Sequence, residues 1–486
     1  MKVTLIALPW IFPQPTFQSH EGFSQNLGIG YLGAYAENHG HDVFVIDAFA
    51  EGVNNKEEIC FGEKKYYLYG LTAEETVNRI PENSDIIGIS CPFNSQAYLI
   101  EVFAGKIKRR YPNKLIVLGG TYAISFPREA LTKNVDVVVR GEGEIPLVEM
   151  LSGTPLSAVH GILYKQDNVV KDNGIAPVVE DMDSLTFPAR HLLPMDKYFE
   201  RSPRGGDGRK KSISITTSRG CPFDCNFCSL HNLENKYARD WRARSPENVI
   251  AEIEQLIEQY GKISLQFEDD NILIDKTRAK DLFSLLRQRN VEWAIHSGVM
   301  INLLDEELIR LMKESGCEQL NLALESGNST VLKAMNKRVD LKKAEEVVKY
   351  CRKYKVNILA FLMIGYPGET KETFQETLSF LKRLRSIGLK KIAPFIVNPH
   401  RGTLLYEDCK QKGYLRNIED AVFNSDVVCI ETEGFNAQDV REWLSMVSRV
   451  MYPYRWRVKR LLRGILPPKT FYKLATFYHR WRGDVI

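Results

Sequence analysis

Three cysteines, Cys221, Cys225 and Cys228, lie in one short loop with the spacing C-x3-C-x2-C. Three thiolates are one fewer than the four that fully ligate a [4Fe–4S] cluster, so one iron would keep an open position. An open metal position is typical of a catalytic site rather than a structural one. A zinc site is the alternative, with His231 as the close candidate for a fourth ligand. The sequence around the loop favours the cluster.

The triplet and Phe227, the aromatic residue before its last cysteine, resemble the signature of the radical S-adenosylmethionine (SAM) superfamily. The resemblance implies that the amino and carboxylate groups of SAM bind the open iron. An electron from the cluster, supplied by a donor such as flavodoxin or ferredoxin, then cleaves SAM to methionine and a 5′-deoxyadenosyl radical. That radical abstracts hydrogen from an unactivated carbon, while the protein supplies position and excludes water. The resemblance assigns the three cysteines to the cluster and Phe227 to the SAM site.

The first 155 residues alternate short apolar strands with helical stretches. Helices are predicted over 28–39 and 146–151, and strands over 3–8, 43–47, 86–91, 115–118 and 136–139. Such strands between helices are typical of a parallel sheet covered on both faces. We therefore predict a doubly wound, Rossmann-like α/β domain over residues 1–155, with ligands beyond the carboxyl ends of its strands.

Several segments of this region resemble the cobalamin-binding domain that precedes many radical SAM domains, namely residues 27–33, 40–43, 87–90, 117–121 and 139–144. The resemblance implies that cobalamin is a cofactor. Residues at the strand ends would contact its nucleotide tail, because glycine lets the backbone approach a ligand closely. The predicted cobalamin residues are Ser90, Gly119, Gly120, Thr121, Gly141 and Gly143.

The absence of two motifs restricts which cofactor this domain could bind, and how. No G-x-G-x-x-G comes directly after the first strand, since the Gly-Ile-Gly-Tyr-Leu-Gly run begins only at residue 28, and this disfavours NAD or FAD. There is also no Asp-x-His-x-x-Gly, the element through which many cobalamin proteins ligate cobalt, and His20 lacks the required Asp two residues before it. We therefore predict that no protein histidine binds cobalt. A structural domain without a cofactor is the alternative.

A second α/β pattern begins near Ser212, after a predicted linker over 156–205 that contains a hairpin near 161–178. Six strands, each followed by a helical stretch, are predicted over 213–217, 264–267, 292–296, 319–324, 358–364 and 392–397. Six such units predict a partial (β/α)6 barrel over residues 206–410, with its active site at the strand ends. Residues 411–486 are predicted to form a small, basic and mainly helical C-terminal region.

Polar residues and glycine at these strand ends are predicted to bind SAM. Asp269 or Glu268 would accept hydrogen bonds from the SAM ammonium or cap a helix, and Ser297 would contact the carboxylate. Glu325 would accept both ribose hydroxyls, and its Leu-Glu-Ser-Gly context resembles the fourth-strand pattern of the family. Gly365 would let adenine lie against the backbone, or else serve a tight turn. The inserted pair at 400–401 lies where the substrate is expected.

Composition indicates a water-soluble protein of a reducing compartment. Of 486 residues, 44% are hydrophobic and 26% charged, which is ordinary for a globular chain. No apolar run reaches the roughly 18–20 residues that a membrane helix needs. Nine cysteines, three of them clustered, argue against a disulfide scaffold. We therefore predict a cytoplasmic location.

The C-terminal tail is strongly basic, with 11 Lys and Arg against two acidic residues between Arg441 and Ile486. Apolar stripes at helical spacing run over 458–465 and 471–478. A packed helical cap and a surface for an anionic membrane or lipid-like substrate are the main alternatives. Nucleic acid is the least favoured partner.

Together these features resemble the cobalamin-dependent radical SAM class. The resemblance implies methyl transfer from methylcobalamin to an unactivated carbon or phosphorus of a small-molecule or lipid-like substrate. A cobalamin-dependent cyclase or ring-rearranging enzyme is the first alternative. A non-catalytic cobalamin and cluster sensor is the second.

Overall fold

The computed structural model describes residues 1–13, 24–61, 64–167, 169–201, 210–231 and 239–453. His20, residues 206–209 at the start of the predicted barrel domain and both apolar stripes of the basic tail lie outside these ranges. Within these ranges, every helix is too short or too polar to span a lipid bilayer.

The N-terminal half is built on a mixed sheet of seven strands. Its strands and those of a smaller sheet are β1 (Lys2–Ala7), β2 (Trp10–Phe12), β3 (Asp42–Asp47), β4 (Lys56–Phe61), β5 (Lys64–Tyr69), β6 (Ile86–Ser90), β7 (Leu115–Gly119), β8 (Val137–Val139), β9 (Ile162–Gln166) and β10 (Val169–Asp172). The large sheet has the order β10-β9-β8-β7-β6-β1-β3. Strands β3, β1, β6, β7 and β8 are parallel, as predicted.

Helices cover both faces of this sheet. They are α1 (Leu27–Asn38), α2 (Ala48–Glu51), α3 (Ala73–Arg79), α4 (Ala97–Arg110), α5 (Thr121–Ser125), α6 (Pro127–Ala130), α7 (Glu144–Leu151) and α8 (Met195–Arg201). Alternate residues of one strand enter different apolar layers: Ile87 and Ile89 pack in one, Ile86 in the other. Burial on both faces explains why these strands are continuous apolar runs.

Two features of this half depart from the predicted pattern. The hairpin expected near 161–178 is present as β9 and β10, but it pairs antiparallel with β8 and extends the sheet past residue 155. Strands β2, β5 and β4 form a separate antiparallel sheet that was not predicted. Strand β4, with the sequence KEEICF, is mostly exposed and therefore lacks the apolar run of a buried strand.

The second half is a parallel sheet of six strands in sequential order, which confirms the predicted partial barrel. Its strands are β11 (Lys211–Ile215), β14 (Ile263–Phe267), β15 (Glu292–Val299), β16 (Cys317–Glu325), β17 (Asn357–Ile364) and β18 (Lys391–Ile396), with a short ribbon of β12 (Ser218–Arg219) and β13 (Arg242–Ala243). The helices are α9 (Pro246–Tyr260), α10 (Lys276–Leu286), α11 (Glu306–Glu314), α12 (Ser329–Ala334), α13 (Leu341–Lys353), α14 (Lys371–Ile387), α15 (Leu404–Gln411), α16 (Ile418–Ala421) and α17 (Ala437–Met451).

The N-terminal half covers the open edge of the barrel at β11. The Gln25 amide donates to the Ser212 carbonyl oxygen at 3.1 Å and accepts from the Ser214 backbone N–H. The Tyr31 hydroxyl donates to the Thr216 carbonyl oxygen at 3.3 Å. The side chains of Gln25 and Tyr31 therefore bind backbone groups at this edge that a neighbouring strand would otherwise pair.

The C-terminal elements also contact both halves. In α17, Trp443 stacks on Phe374 of the barrel with ring centroids 4.5 Å apart. Phe423, after α16, packs among aromatic rings of the N-terminal half, with its centroid 4.3 Å from Tyr66 and 5.0 Å from Tyr98. The described part of the C-terminal region thus helps to hold the two halves together.

Candidate active site

The cysteine loop leaves the carboxyl end of β11, the first barrel strand, through β12. All three thiols are free; Cys225 is buried, and Cys221 and Cys228 are half-buried. Burial raises the pKa of each thiol, that of Cys228 to about 11. The free loop would therefore hold protonated thiols at neutral pH. A metal group is what would keep three such residues as thiolates.

Asn226, in the middle of the loop, fixes its shape. Its backbone N–H donates to the Met335 carbonyl oxygen at 3.2 Å, and its own carbonyl accepts from the Leu405 N–H at 3.0 Å. The Asn226 amide donates to the Ala334 carbonyl oxygen at 2.8 Å and accepts from the Tyr366 hydroxyl. Elements from three parts of the barrel thus determine where the cysteines lie.

Asp269 lies directly beneath the start of the loop. Its Oδ1 accepts from the Thr217 N–H at 3.0 Å, the Thr217 hydroxyl at 2.7 Å and the Ser218 hydroxyl at 2.6 Å. Burial raises the pKa of this carboxyl group. These bonds hold the loop rather than cap a helix. Oδ2 has no partner in the described residues, so it is the oxygen left for the predicted SAM contact.

Glu325 and Gly365 lie at neighbouring strand ends with unusual backbone conformations. Glu325 has φ +63° and Gly365 has φ +85°. A positive φ costs energy at a non-glycine residue such as Glu325, and backbone strain of this kind clusters at functional sites. The Glu325 carboxylate is nearly buried and lies 3.4 Å from the Lys337 ammonium. The Ser297 hydroxyl donates to the Asp269 carbonyl oxygen at 2.9 Å. The structure thus gathers the predicted SAM residues around the cysteine loop, and their ligand contacts stay predictions.

Lys337 is a residue that sequence reasoning missed. It is almost buried, and its ammonium lies 5.8 Å from the centre of the Phe227 ring as well as beside Glu325. The charge of Lys337 also acts on the Cys221 and Cys225 thiols, whose pKa it lowers against the effect of burial. Lys337 lies in a loop with no recognisable motif, so the sequence offered no signal for it.

Glu369 holds the turn after β17. It is buried, and its Oε2 accepts from the Gly365 N–H at 2.7 Å and the Tyr366 N–H at 3.2 Å. Burial nevertheless raises the pKa of Glu369 from 4.5 to about 7. The carboxyl group thus binds its proton more tightly in the folded state than in the unfolded chain.

Glu369 should therefore make folding stability depend on pH. Its contribution is fully present below about pH 4.5, where it is protonated in both states, and is lost as pH rises through about 7. Relative to the Glu369→Gln variant, which cannot ionise, the wild type should lose on the order of 3 kcal/mol over this window. Urea unfolding of both apoproteins at either end of the window measures this difference. A difference that does not change with pH would contradict the assignment.

Four of the predicted cobalamin residues lie at the carboxyl ends of neighbouring strands β6 and β7, where Ser90 pairs in register with Gly119. A Cβ built on Gly119 would meet no atom within 4 Å, so open space adjoins this strand end. Gly120 has φ +98°, and a Cβ there would lie 2.7 Å from the Cys91 carbonyl oxygen. Thr121 begins α5 and is exposed. The strand ends therefore adjoin open space, and it is Gly120 whose backbone conformation and close contact require glycine.

Gly141 and Gly143 face protein neighbours instead. A Cβ on Gly141 would lie 2.9 Å from the Ala176 Cβ, and one on Gly143 would lie 2.9 Å from a Leu32 methyl group. Close chain packing thus already accounts for both glycines. Their predicted contact with cobalamin stays a prediction.

Comparison with known proteins agrees with this geometry. Residues 215–381 match the family model of the radical SAM superfamily, and residues 16–151 match that of the B12 binding domain. Over 424 residues the chain is 30% identical to cytidylyl-2-hydroxyethylphosphonate methyltransferase of Streptomyces wedmorensis, covering 80% of this chain and 78% of that protein. The chain belongs to the cobalamin-dependent radical SAM methyltransferase family.

The chain is also similar to a cyclase in sequence and to a solved cobalamin-dependent enzyme in fold. Anaerobic magnesium-protoporphyrin IX monomethyl ester cyclase of Cereibacter sphaeroides is 29% identical over 280 residues, which cover 55% of this chain and 44% of the cyclase. The solved structure of the cobalamin-dependent SAM radical enzyme OxsB superposes with a TM-score of 0.71 at 16% identity, covering 99% of this chain and 71% of OxsB. That superposition confirms the fold.

Family membership establishes that the protein is an enzyme whose cofactors are a [4Fe–4S] cluster, SAM and cobalamin. These cofactors favour a cluster over zinc in the cysteine loop, and ligation by Cys221, Cys225 and Cys228 stays a prediction. The residues present fit these groups. Three free thiols share one clamped loop, the end of β7 opens onto space, and Glu325 and Gly365 adopt positive φ beside the loop.

Proposed function

We propose that the protein transfers a methyl group held by cobalamin to an unactivated carbon, or phosphorus, of a small-molecule or lipid-like substrate. The contact between the two predicted cofactor sites carries this proposal: Arg219, next to the cluster loop, lies 2.7 Å from Glu144 of the cobalamin domain. When bound, the cluster and SAM supply the hydrogen-abstracting radical and cobalamin supplies the methyl group. A radical source and a methyl source at adjoining sites are what such a transfer requires.

In this proposal each part of the chain has a defined task. The three loop cysteines ligate the cluster, and Phe227, Asp269, Ser297, Glu325 and Gly365 hold SAM. The ends of β6, β7 and β8 hold cobalamin through Ser90, Gly119, Gly120, Thr121, Gly141 and Gly143. The corresponding domains are residues 1–155, whose sheet β9 and β10 extend, and residues 206–410, with the rest of 156–205 joining them and 411–486 as the C-terminal region. A low-potential protein such as flavodoxin or ferredoxin would reduce the cluster.

The barrel face turned away from the helices supports a small substrate with both polar and apolar parts. Leu265 and Phe267 of β14 pack toward the helices, so Gln266 between them faces the opposite side. The Oε1 of Gln266 is buried without a partner in the described residues. At the other end of the barrel sheet, the ring centroids of Phe361 in β17 and Phe395 in β18 lie 5.5 Å apart, and Phe395 is 48% exposed. Buried polar groups without partners are places where a ligand or water binds.

The similarity to the cyclase keeps cyclisation or ring rearrangement as the second candidate. Anaerobic reconstitution with iron, sulfide and cobalamin, followed by incubation with SAM and a reductant, separates the two. Methyl transfer requires S-adenosylhomocysteine in addition to 5′-deoxyadenosine. A cyclase would release 5′-deoxyadenosine and no S-adenosylhomocysteine.

Gly119→Trp should block cobalamin binding. The indole side chain would occupy the open space at the end of β7. The fold should tolerate it, because the backbone conformation at residue 119 permits a side chain. We expect at least a tenfold rise in the cobalamin Kd with little change in urea unfolding. Gly119→Ala, which adds one methyl group in the same direction, is the matched control and should bind nearly as the wild type does. Unchanged cobalamin binding by Gly119→Trp would place cobalamin elsewhere.

We further propose that the basic tail contacts an anionic membrane or lipid-like substrate, on composition alone. Each basic side chain near an anionic surface contributes about 1 kcal/mol. The full-length protein should therefore sediment with phosphatidylserine vesicles at low salt, and less so at high salt. Changing Arg457, Arg460 and Arg463 together to Glu should abolish sedimentation. A wild type that ignores these vesicles at low salt would favour a packed cap and a soluble substrate.

A further inference from the structure

Four charged side chains meet where the cluster loop touches the cobalamin domain. Arg219 contacts Glu142 at 3.1 Å and Glu144 at 2.7 Å. Arg242 also pairs with Glu142, through a short contact. None of the four is more than 19% exposed, and Glu144 is only 4% exposed. This group, called here the junction network, is largely removed from water.

The two arginines belong to one structural unit and the two glutamates to another. Arg219 in β12 pairs in register with Arg242 in β13, and Arg219 is followed directly by Gly220 and Cys221. Glu142 and Glu144 come directly after β8, at the start of α7. The network therefore joins the base of the cluster loop to the loop that follows the last parallel strand of the cobalamin domain.

The arrangement is sensitive to geometry. Arg219 and Arg242 are neighbouring like charges, and Glu142 pairs with both, so the cobalamin domain supplies the counter-charge for this ribbon. The planar guanidinium of Arg219 spans two carboxylates and lies 5.1 Å from the centre of the Tyr31 ring. A fork held at this many points fixes orientation as well as distance.

We propose that Arg219 is a positioning residue that couples the cluster site to the cobalamin site. Through the junction network, occupation of one site favours the arrangement of the loop that serves the other. Such coupling is reciprocal, so the cluster must tighten cobalamin binding by the same factor as cobalamin stabilises the cluster loop. This inference rests on the family's cofactors but not on methyl transfer, and its test does not involve turnover.

The experiment measures hydroxocobalamin binding to the full-length protein with and without the reconstituted cluster. The wild type should bind at least fivefold more tightly with the cluster, within the usual range of such coupling. In Arg219→Gln the two Kd values should agree within twofold. Arg219→Lys, which keeps the charge but loses the fork, should lie between. A merely structural role would weaken both Kd values and leave their ratio unchanged.

Two further variants keep the test decisive. Arg289→Gln removes an exposed pair with Glu254 on the outer helices and should retain the wild-type ratio. Glu144→Gln leaves Arg219 paired with Glu142 and should reduce the ratio of the two Kd values at least twofold. If Arg219→Gln does not load iron, the result for Glu144→Gln decides whether the network couples the two sites. A wild-type ratio near one, or variants at position 219 or 144 with the wild-type ratio, would overturn the proposal.

Discussion

Replacing Cys225 with alanine is expected to abolish SAM cleavage and most iron binding. We predict that this loop supplies the three thiolates of the cluster, and Cys225 is the buried one of the three. Two remaining thiolates leave a second iron without a protein ligand, so we expect 5′-deoxyadenosine formation to fall below detection. The measurement is iron content and 5′-deoxyadenosine yield after anaerobic reconstitution.

Cys317→Ala is the matched control for this prediction. Cys317 is also buried, but it lies at the start of β16 in the helix-facing core. Its loss should cost about 1 kcal/mol of stability and leave iron content and SAM cleavage unchanged. Normal SAM cleavage by Cys225→Ala, or an equal loss in Cys317→Ala, would contradict the assignment of the loop.

Replacing Glu252 with alanine is expected to give the largest loss of stability. Its two oxygens bind Arg190 of the segment before the barrel and Arg244 beside β13, and all three side chains are buried. The variant would leave two guanidinium groups buried without their counter-charge. Breaking a buried pair of this kind costs about 3–5 kcal/mol. Urea unfolding measures the change.

Glu254→Ala provides the comparison on the same helix. Glu254 pairs with Arg289 but is 55% exposed, so water compensates for its loss. Its removal should cost less than about 1 kcal/mol. Equal effects of the two substitutions on unfolding would show that the Glu252 group contributes no more than a surface pair.

The sequence predicts elements best where burial imposes a pattern on consecutive residues. The strand predicted over 86–91 is observed as Ile86–Ser90, and that over 358–364 as Asn357–Ile364. The sequence did not predict strand β4, because its largely exposed residues resemble a polar loop. The pairing of β9 with β8 escaped because pairing partners are set by tertiary contacts, not by either segment alone.

The site was predictable where a motif fixes chemistry within a few residues, as in the cysteine loop. Contacts between site residues that are distant in the sequence could not be predicted in this way. Lys337 reaches Glu325 only because α12 and the following loop fold beside the cysteine loop. The bonds that Asp269 makes to Thr217 and Ser218 likewise join separate barrel strands. The pair at 400–401 was expected near substrate, and the structure shows Arg401 bound to Glu129 of the N-terminal half at 2.7 Å.

Methyl transfer through cobalamin is tested most directly by following the methyl group itself. The reconstituted holoenzyme, reduced anaerobically, is mixed with SAM that carries a deuterated methyl group, and the products are identified by mass spectrometry. We expect one S-adenosylhomocysteine per bound cobalamin and the deuterated methyl group recovered on cobalamin. Formation of 5′-deoxyadenosine without S-adenosylhomocysteine, and with cobalamin unlabelled, would contradict the methyltransferase assignment.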